Sequence, residues 1–201
     1  LTIGGPAEAA GEALVLFADD GGMAFALDAV SGDLRWATRV EEHPLNRATG
    51  APGVHNGRVF VTMSSIEDPL THDPGHACCT SRGSVTALEA ATGQKLWKQY
   101  TIVKEPIQIA PKSSRGPAQY SPAGGSIYTP VTIDAKRGLV YVSTAEAYTS
   151  ENAKGSYAVI AFDMETGARV WERQFLPAPE DREGACAEVV GTDCRNVFSM
   201  G

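Results

Sequence analysis

No apolar stretch of this chain is long enough to cross a membrane. The longest, Ala13 to Ala18, has six residues, against the ~20 that a spanning helix needs. Clusters of basic residues are missing too. With 17 Lys and Arg against 24 Asp and Glu, the formal charge is −7, which disfavours nucleic acid or an anionic bilayer as a partner. No 3.6-residue amphipathic pattern runs beyond two turns, so helices should be few and a helical solenoid is excluded. Gly-rich phosphate loops are absent, and so is the Cys-x-x-Cys-His motif that attaches haem c. Leu1 opens the chain without Met, a basic region or an apolar leader, and Asn196 to Gly201 close it without a cap or polar tail. The expectation is a single domain spanning 1–201, cut from a longer protein at both ends.

What is present is ordinary globular composition, 43% hydrophobic and 20% charged, enough for a real core. A repeat organises it. Ala26-Leu27-Asp28 leads through Ser31-Gly32 to Trp36, Ala87-Leu88-Glu89 through Thr92-Gly93 to Trp97, and Ala161-Phe162-Asp163 through Thr166-Gly167 to Trp171. All 3 tryptophans of the chain fall in this pattern. Apolar alternation such as Met23, Phe25, Leu27 suits a half-buried strand. The acidic residue and the Ser/Thr-Gly pair supply a tight turn, and a second strand ends in Trp, a ring able to wedge between sheets. Each hairpin follows another strand-like run: Leu14 to Ala18, Val59 to Met63, Val140 to Thr144. The first is joined to its hairpin by the short Asp19-Asp20-Gly21-Gly22 turn; the others carry insertions at the same topological place, which should emerge on one face. The fold class is therefore all-β: a β-propeller of four-stranded antiparallel blades, with about three to four blades present.

Four cysteines, an even number, suit an oxidising compartment. A disulfide between Cys186 and Cys194 is expected first. Cys78 and Cys79 either close a vicinal ring, since adjacent Cα atoms lie about 3.8 Å apart, or remain structural or free thiols. His72-x-x-x-His76-x-Cys78-Cys79 also offers imidazole and thiolate, the usual zinc ligands, at loose spacing in a Pro74-Gly75 loop.

The Ala-Leu-Asp-x-x-Thr-Gly-x-x-x-Trp unit resembles the tryptophan-docking repeat of dehydrogenases that depend on pyrroloquinoline quinone (PQQ). Cys78-Cys79-Thr80-Ser81-Arg82-Gly83, Tyr120 to Tyr128, and Thr132-Ile133-Asp134-Ala135-Lys136-Arg137-Gly138 are similar to the polyvinyl-alcohol dehydrogenase branch. The resemblance implies an eight-bladed propeller holding PQQ and Ca²⁺, alcohol oxidation assisted by a carboxylate base, a cytochrome c or quinone as electron acceptor, and a periplasmic or secreted location. It also implies site residues. Thr49 bonds a quinone carboxylate, Ser65 contacts the quinone, and Tyr128 stands where the family stacks a tryptophan on it. Glu67 or Asp68 supplies the first calcium carboxylate. Glu146 stands at the second ligand position, one methylene longer than the family residue. Glu180, or its neighbour Asp181, is aligned with the catalytic base, and Cys78-Cys79 matches the vicinal ring that many quinoproteins hold against the cofactor. A non-catalytic propeller scaffold, binding protein partners in outer-membrane assembly, shares the repeat and is the alternative.

Overall fold

Apolar alternation becomes antiparallel ladders in the computed structural model, which describes residues 2–9, 12–113, 116–149 and 153–175. The first sheet runs β1 (Thr2–Ala9), β2 (Glu12–Ala18), β3 (Met23–Asp28), β4 (Leu34–Arg39), each strand beside the next. In the second, β5 (Asn46–Arg47) and β6 (Gly53–His55) both pair with β7 (Arg58–Ser65). A one-turn helix, α1 (Glu67–Leu70), follows before β8 (Ser84–Glu89) and β9 (Lys95–Tyr100). A small hairpin, β10 (Ile107–Ala110) with β11 (Gln119–Ser121), precedes the third sheet. That sheet is β12 (Thr132–Asp134), β13 (Leu139–Ser143), β14 (Ala158–Asp163), β15 (Arg169–Gln174). The described part is thus three successive antiparallel sheets, two with the four strands expected and one with five, with the small hairpin between the second and the third. No described helix is long and apolar enough to span a membrane.

The repeat has a physical cause in every sheet. Ala26 lies opposite Trp36, Ala87 opposite Trp97 and Ala161 opposite Trp171, so a small residue leaves room beneath each indole. The ladder slips one residue beyond that pair in all three hairpins, the bulge that turns the chain into its loop. In the loops, Asp28 Oδ1 accepts the Val30 and Ser31 N–H groups at 2.9 Å, and Asp163 Oδ1 accepts that of Thr166 at 2.8 Å. Gly32, Gly93 and Gly167 close them with φ of 78°, 72° and 71°, a region that costs other residues.

Trp36 and Trp97 each belong to the junction with the following sheet. Trp36 Nε1 donates to the Ala90 carbonyl at 2.9 Å and Trp97 Nε1 to that of Met164 at 3.1 Å. A methyl on Gly93 would stand 2.6 Å from the Trp36 ring, and one on Gly167 2.6 Å from Trp97. The ring of one sheet therefore sits on the glycine of the next. β7 is buried on both faces: Val59, Val61 and Met63 join the first-sheet core with Leu14, Leu16 and Trp36, while Phe60 joins Trp97, Val140, Ile160 and Phe162. The two ends of the series differ. Nothing lies within 4 Å of a methyl built on Gly32, and Trp171 is 43% exposed where Trp36 and Trp97 are 8%.

Candidate functional site

The long connections β7–β8 and β13–β14 are brought together by the segment after β11. Gly124 N–H donates to the Ser81 carbonyl at 2.9 Å and Gly83 N–H to that of Gly124 at 3.1 Å. On the other side Gly125 N–H reaches the Glu146 carbonyl at 2.7 Å, Ala145 N–H that of Ser126 at 2.8 Å, and Tyr148 N–H that of Ala123 at 2.9 Å. Such close approach needs glycine: a methyl on Gly83 would lie 2.0 Å from the Gly125 oxygen, and one on Gly124 2.5 Å from that of Glu146. Insertions from two successive sheets thus share one face.

Glu67 and Asp68, adjacent in α1, do different things. Glu67 is fully buried and points into its own loop. Its carboxylate accepts the Thr80 N–H at 3.1 and 3.0 Å and the Ser81 N–H at 2.7 Å, with His76 Nε2 3.2 Å from Oε1. Asp68 acts on Glu146 instead. Burial raises the pKa of Glu146, and Asp68 raises it further, both as a like charge and through a hydrogen bond. Among the described residues neither carboxylate forms an ion pair with Lys or Arg.

Tyr128 joins the same group. Burial raises its pKa, helped by Glu146 and Asp68 and opposed by hydrogen bonds with Tyr148 and Ser126. Tyr148 Oη lies 2.5 Å from Ser126 Oγ, and desolvation drives the Tyr148 phenol far above its ordinary value. Thr49 is exposed beside this group: its hydroxyl donates to Ser64 Oγ at 3.1 Å and lies 3.3 Å from the Tyr128 carbonyl oxygen. Ser65 is buried and occupied locally, donating to the Leu45 carbonyl at 3.1 Å and accepting the Glu67 N–H at 3.0 Å.

Cys78 and Cys79 are joined in a vicinal disulfide, buried against Ala123 and packed by Tyr148. Tyr148 therefore links the sulfur pair to Tyr128. Sequence reasoning did not single out Tyr148, and its place two residues after Glu146 is the local signal that points to it. The structure places Asp68 and Glu146 near each other and near Tyr128, sets Thr49 against the Tyr128 carbonyl, and turns Glu67 and Ser65 to contacts of their own. Glu180, Asp181, Cys186 and Cys194 lie outside the described residues.

Comparison with known proteins follows this geometry. Residues 33–177 match the PQQ family described as the glucose/ethanol/alcohol dehydrogenase β-propeller domain. Polyvinylalcohol dehydrogenase of a Pseudomonas species is 39% identical over 201 residues, covering 98% of this chain and 31% of the relative. The enzyme of the same name from Sphingopyxis is 37% identical over 173 residues, covering 86% of this chain and 26% of its own length. The chain thus spans a third or less of these relatives. Among solved structures, a quinohemoprotein alcohol dehydrogenase from Pseudomonas putida matches with a TM-score of 0.62 at 24% identity, over 90% of this chain and 27% of its own. Likeness at that level shows the fold.

Proposed function

The chain belongs to the PQQ family of glucose, ethanol and alcohol dehydrogenase β-propellers, and from that premise we propose that it forms part of a quinoprotein that oxidises an alcohol. Polyvinyl alcohol or another secondary alcohol is the substrate class. The proposal extends to a periplasmic or secreted location and to a cytochrome c or quinone as electron acceptor.

One observation carries the reading: Asp68 and Glu146, both half-buried on connections of successive sheets, lie near enough for burial and the like charge of Asp68 to raise the Glu146 pKa, and among the described residues neither pairs with Lys or Arg. Two half-buried carboxylates repel when both are ionised. A hard dication with oxygen ligands relieves that repulsion, so the donor set fits Ca²⁺. The exposed Thr49 hydroxyl and the half-buried Tyr128 ring beside it fit the polar edge and the face of a flat quinone, with the Cys78-Cys79 ring and Tyr148 as the neighbouring wall and Ser65 as a support. When bound, PQQ supplies the two-electron acceptor. The chain's own residues do the remainder. Asp68 and Glu146 hold positive charge in place, Tyr148 fixes the Tyr128 phenol, and Glu67 pins the loop carrying the disulfide. Glu180 or Asp181 takes the hydroxyl proton of the alcohol as general base.

The test uses the full-length protein loaded with PQQ and Ca²⁺. We expect saturable dye-linked alcohol oxidation, and a loss of Ca²⁺ affinity on the order of a hundredfold in Asp68→Asn and in Glu146→Gln, because affinity follows the charge count of the ligands. Absence of PQQ binding by the intact protein, or Ca²⁺ affinity unchanged in both variants, overturns the reading and leaves a propeller that binds protein partners.

A further inference from the structure

Behind the site just described lies a second cluster of metal-ligating groups. Glu67, His76 and Cys79 each present one donor atom, and the three donors lie within 4.8 Å of one another. They come from α1, from the Pro74-Gly75 loop and from the strand-like segment that follows, so no short motif brings them together. Glu67 and Cys79 are fully buried, and the His76 ring is 19% exposed. His76 and Cys78 line a cleft of about 440 Å³, together with Thr71, His72, Tyr120 and Tyr148. An ion or a small reductant therefore has a route to the cluster.

We propose that these residues form a redox-gated site for a borderline-soft dication such as Zn²⁺ or Co²⁺. Carboxylate, imidazole and thiolate are the mixture such an ion takes in tetrahedral coordination. While Cys79 is bonded to Cys78, its sulfur carries no thiolate and the set is incomplete, because the thiolate is the metal ligand. A dithiol reductant changes that. It gives two electrons and two protons to the Cys78–Cys79 bond and leaves as its own cyclic disulfide. Each cysteine is then a thiol, and the Cys79 thiol releases its proton as the sulfur–metal bond forms. Ligand atoms about a tetrahedral ion stand about 3.5 Å apart at the usual bond lengths, so the donors need to draw in by about an ångström. The Glu67–His76 pair already stands at 3.2 Å. A water from the cleft completes the fourth position.

This site is separate from Asp68 and Glu146, and the experiment keeps the two apart. Metal-free full-length protein is reduced with a dithiol, desalted without oxygen and titrated with Co²⁺, whose thiolate charge-transfer absorption reports a sulfur ligand. We expect that band in the reduced protein at one Co²⁺ per site, its absence in the oxidised protein, and its displacement by Zn²⁺. Cys79→Ser should abolish it, His76→Ala should weaken Co²⁺ binding at least tenfold, and Asp68→Asn should leave it unchanged. No band after reduction overturns the proposal, as does a band of equal affinity in His76→Ala or one that survives in Cys79→Ser. The His76 side chain is partly exposed and makes its one described bond to Glu67, so its variant retains the fold and the test stays decisive.

Discussion

Glu41 shows how much one buried charge can hold. Its side chain is 3% exposed, between the first and second sheets, with Lys98 Nζ 2.9 Å from Oε2. The other oxygen accepts the Glu42 and His43 N–H groups at 2.9 and 3.0 Å. Burial pushes this carboxyl up, but the Lys98 ammonium and the His43 N–H outweigh burial and leave its pKa below the usual value. A carboxylate whose folded pKa is depressed stabilises the fold above its unfolded pKa and loses that contribution as pH falls through the folded one. Lys98→Met leaves the charge buried with its main partner gone, at a cost of about 3 kcal/mol near neutral pH. Denaturant unfolding should show that gap, and it should shrink in acid as Glu41 protonates in both proteins. A gap that stays constant from neutral pH into the acid range would mean that Lys98 acts through its packing over Tyr100 rather than through charge.

At the scale of the hairpin, one glycine position serves two demands that can be separated. Gly32 and Gly93 occupy the same place in successive turns with φ of 78° and 72°. A methyl on Gly32 meets nothing within 4 Å, whereas one on Gly93 falls 2.6 Å from the Trp36 ring. Gly32→Ala therefore carries only the left-handed backbone penalty of ~1 kcal/mol. Gly93→Ala adds the overpacking of a filled junction, a further ~1–3 kcal/mol. Equilibrium unfolding of the two variants should differ by that extra amount, and equal costs would remove the indole from the account. These hairpins were legible in the sequence because each is locally complete: the small residue under the ring, the acidic residue that caps the loop and the glycine lie within one short segment. The site was less legible. Glu67 and Asp68 are neighbours on a single helical turn, and a one-residue step there decides whether a carboxylate enters its own loop or faces Glu146. That outcome is set by Thr80, Ser81 and His76, which return through a loop whose path no local pattern specifies. Tyr148 was missed for a similar reason, since its partners Ser126 and Tyr128 lie on a different segment.

At the scale of the whole molecule, the sheets form a directional series in which the first two indoles each seat on the next turn. Trp36 finds the carbonyl of Ala90 and Trp97 that of Met164. Trp171 keeps its place opposite Ala161 and packs on Tyr141, with ring centroids 5.6 Å apart, yet remains 43% exposed beside Val170 and Phe175, themselves about half exposed. The same geometry that buries two tryptophans leaves a third with one face uncovered, and Gly32 is the matching empty seat at the other end of the series. Sequence periodicity foresaw successive sheets, about three to four of them, but the total needed to close a ring depends on the angle between sheets and on residues beyond these, so it was not readable from the repeat. If the series continues in the full-length protein, the next turn covers Trp171 as the second and third turns cover its counterparts. Trp97→Ala and Trp171→Ala should then each cost about 3–5 kcal/mol in the full-length protein, the usual range for emptying a buried aromatic site. If instead Trp171 stays at the edge, its replacement costs under ~1 kcal/mol, as surface changes do, and a small-molecule quencher reaches its fluorescence while sparing that of Trp97. The two outcomes are far enough apart for a single pair of unfolding curves to separate a continued propeller from an array that stops at its third sheet.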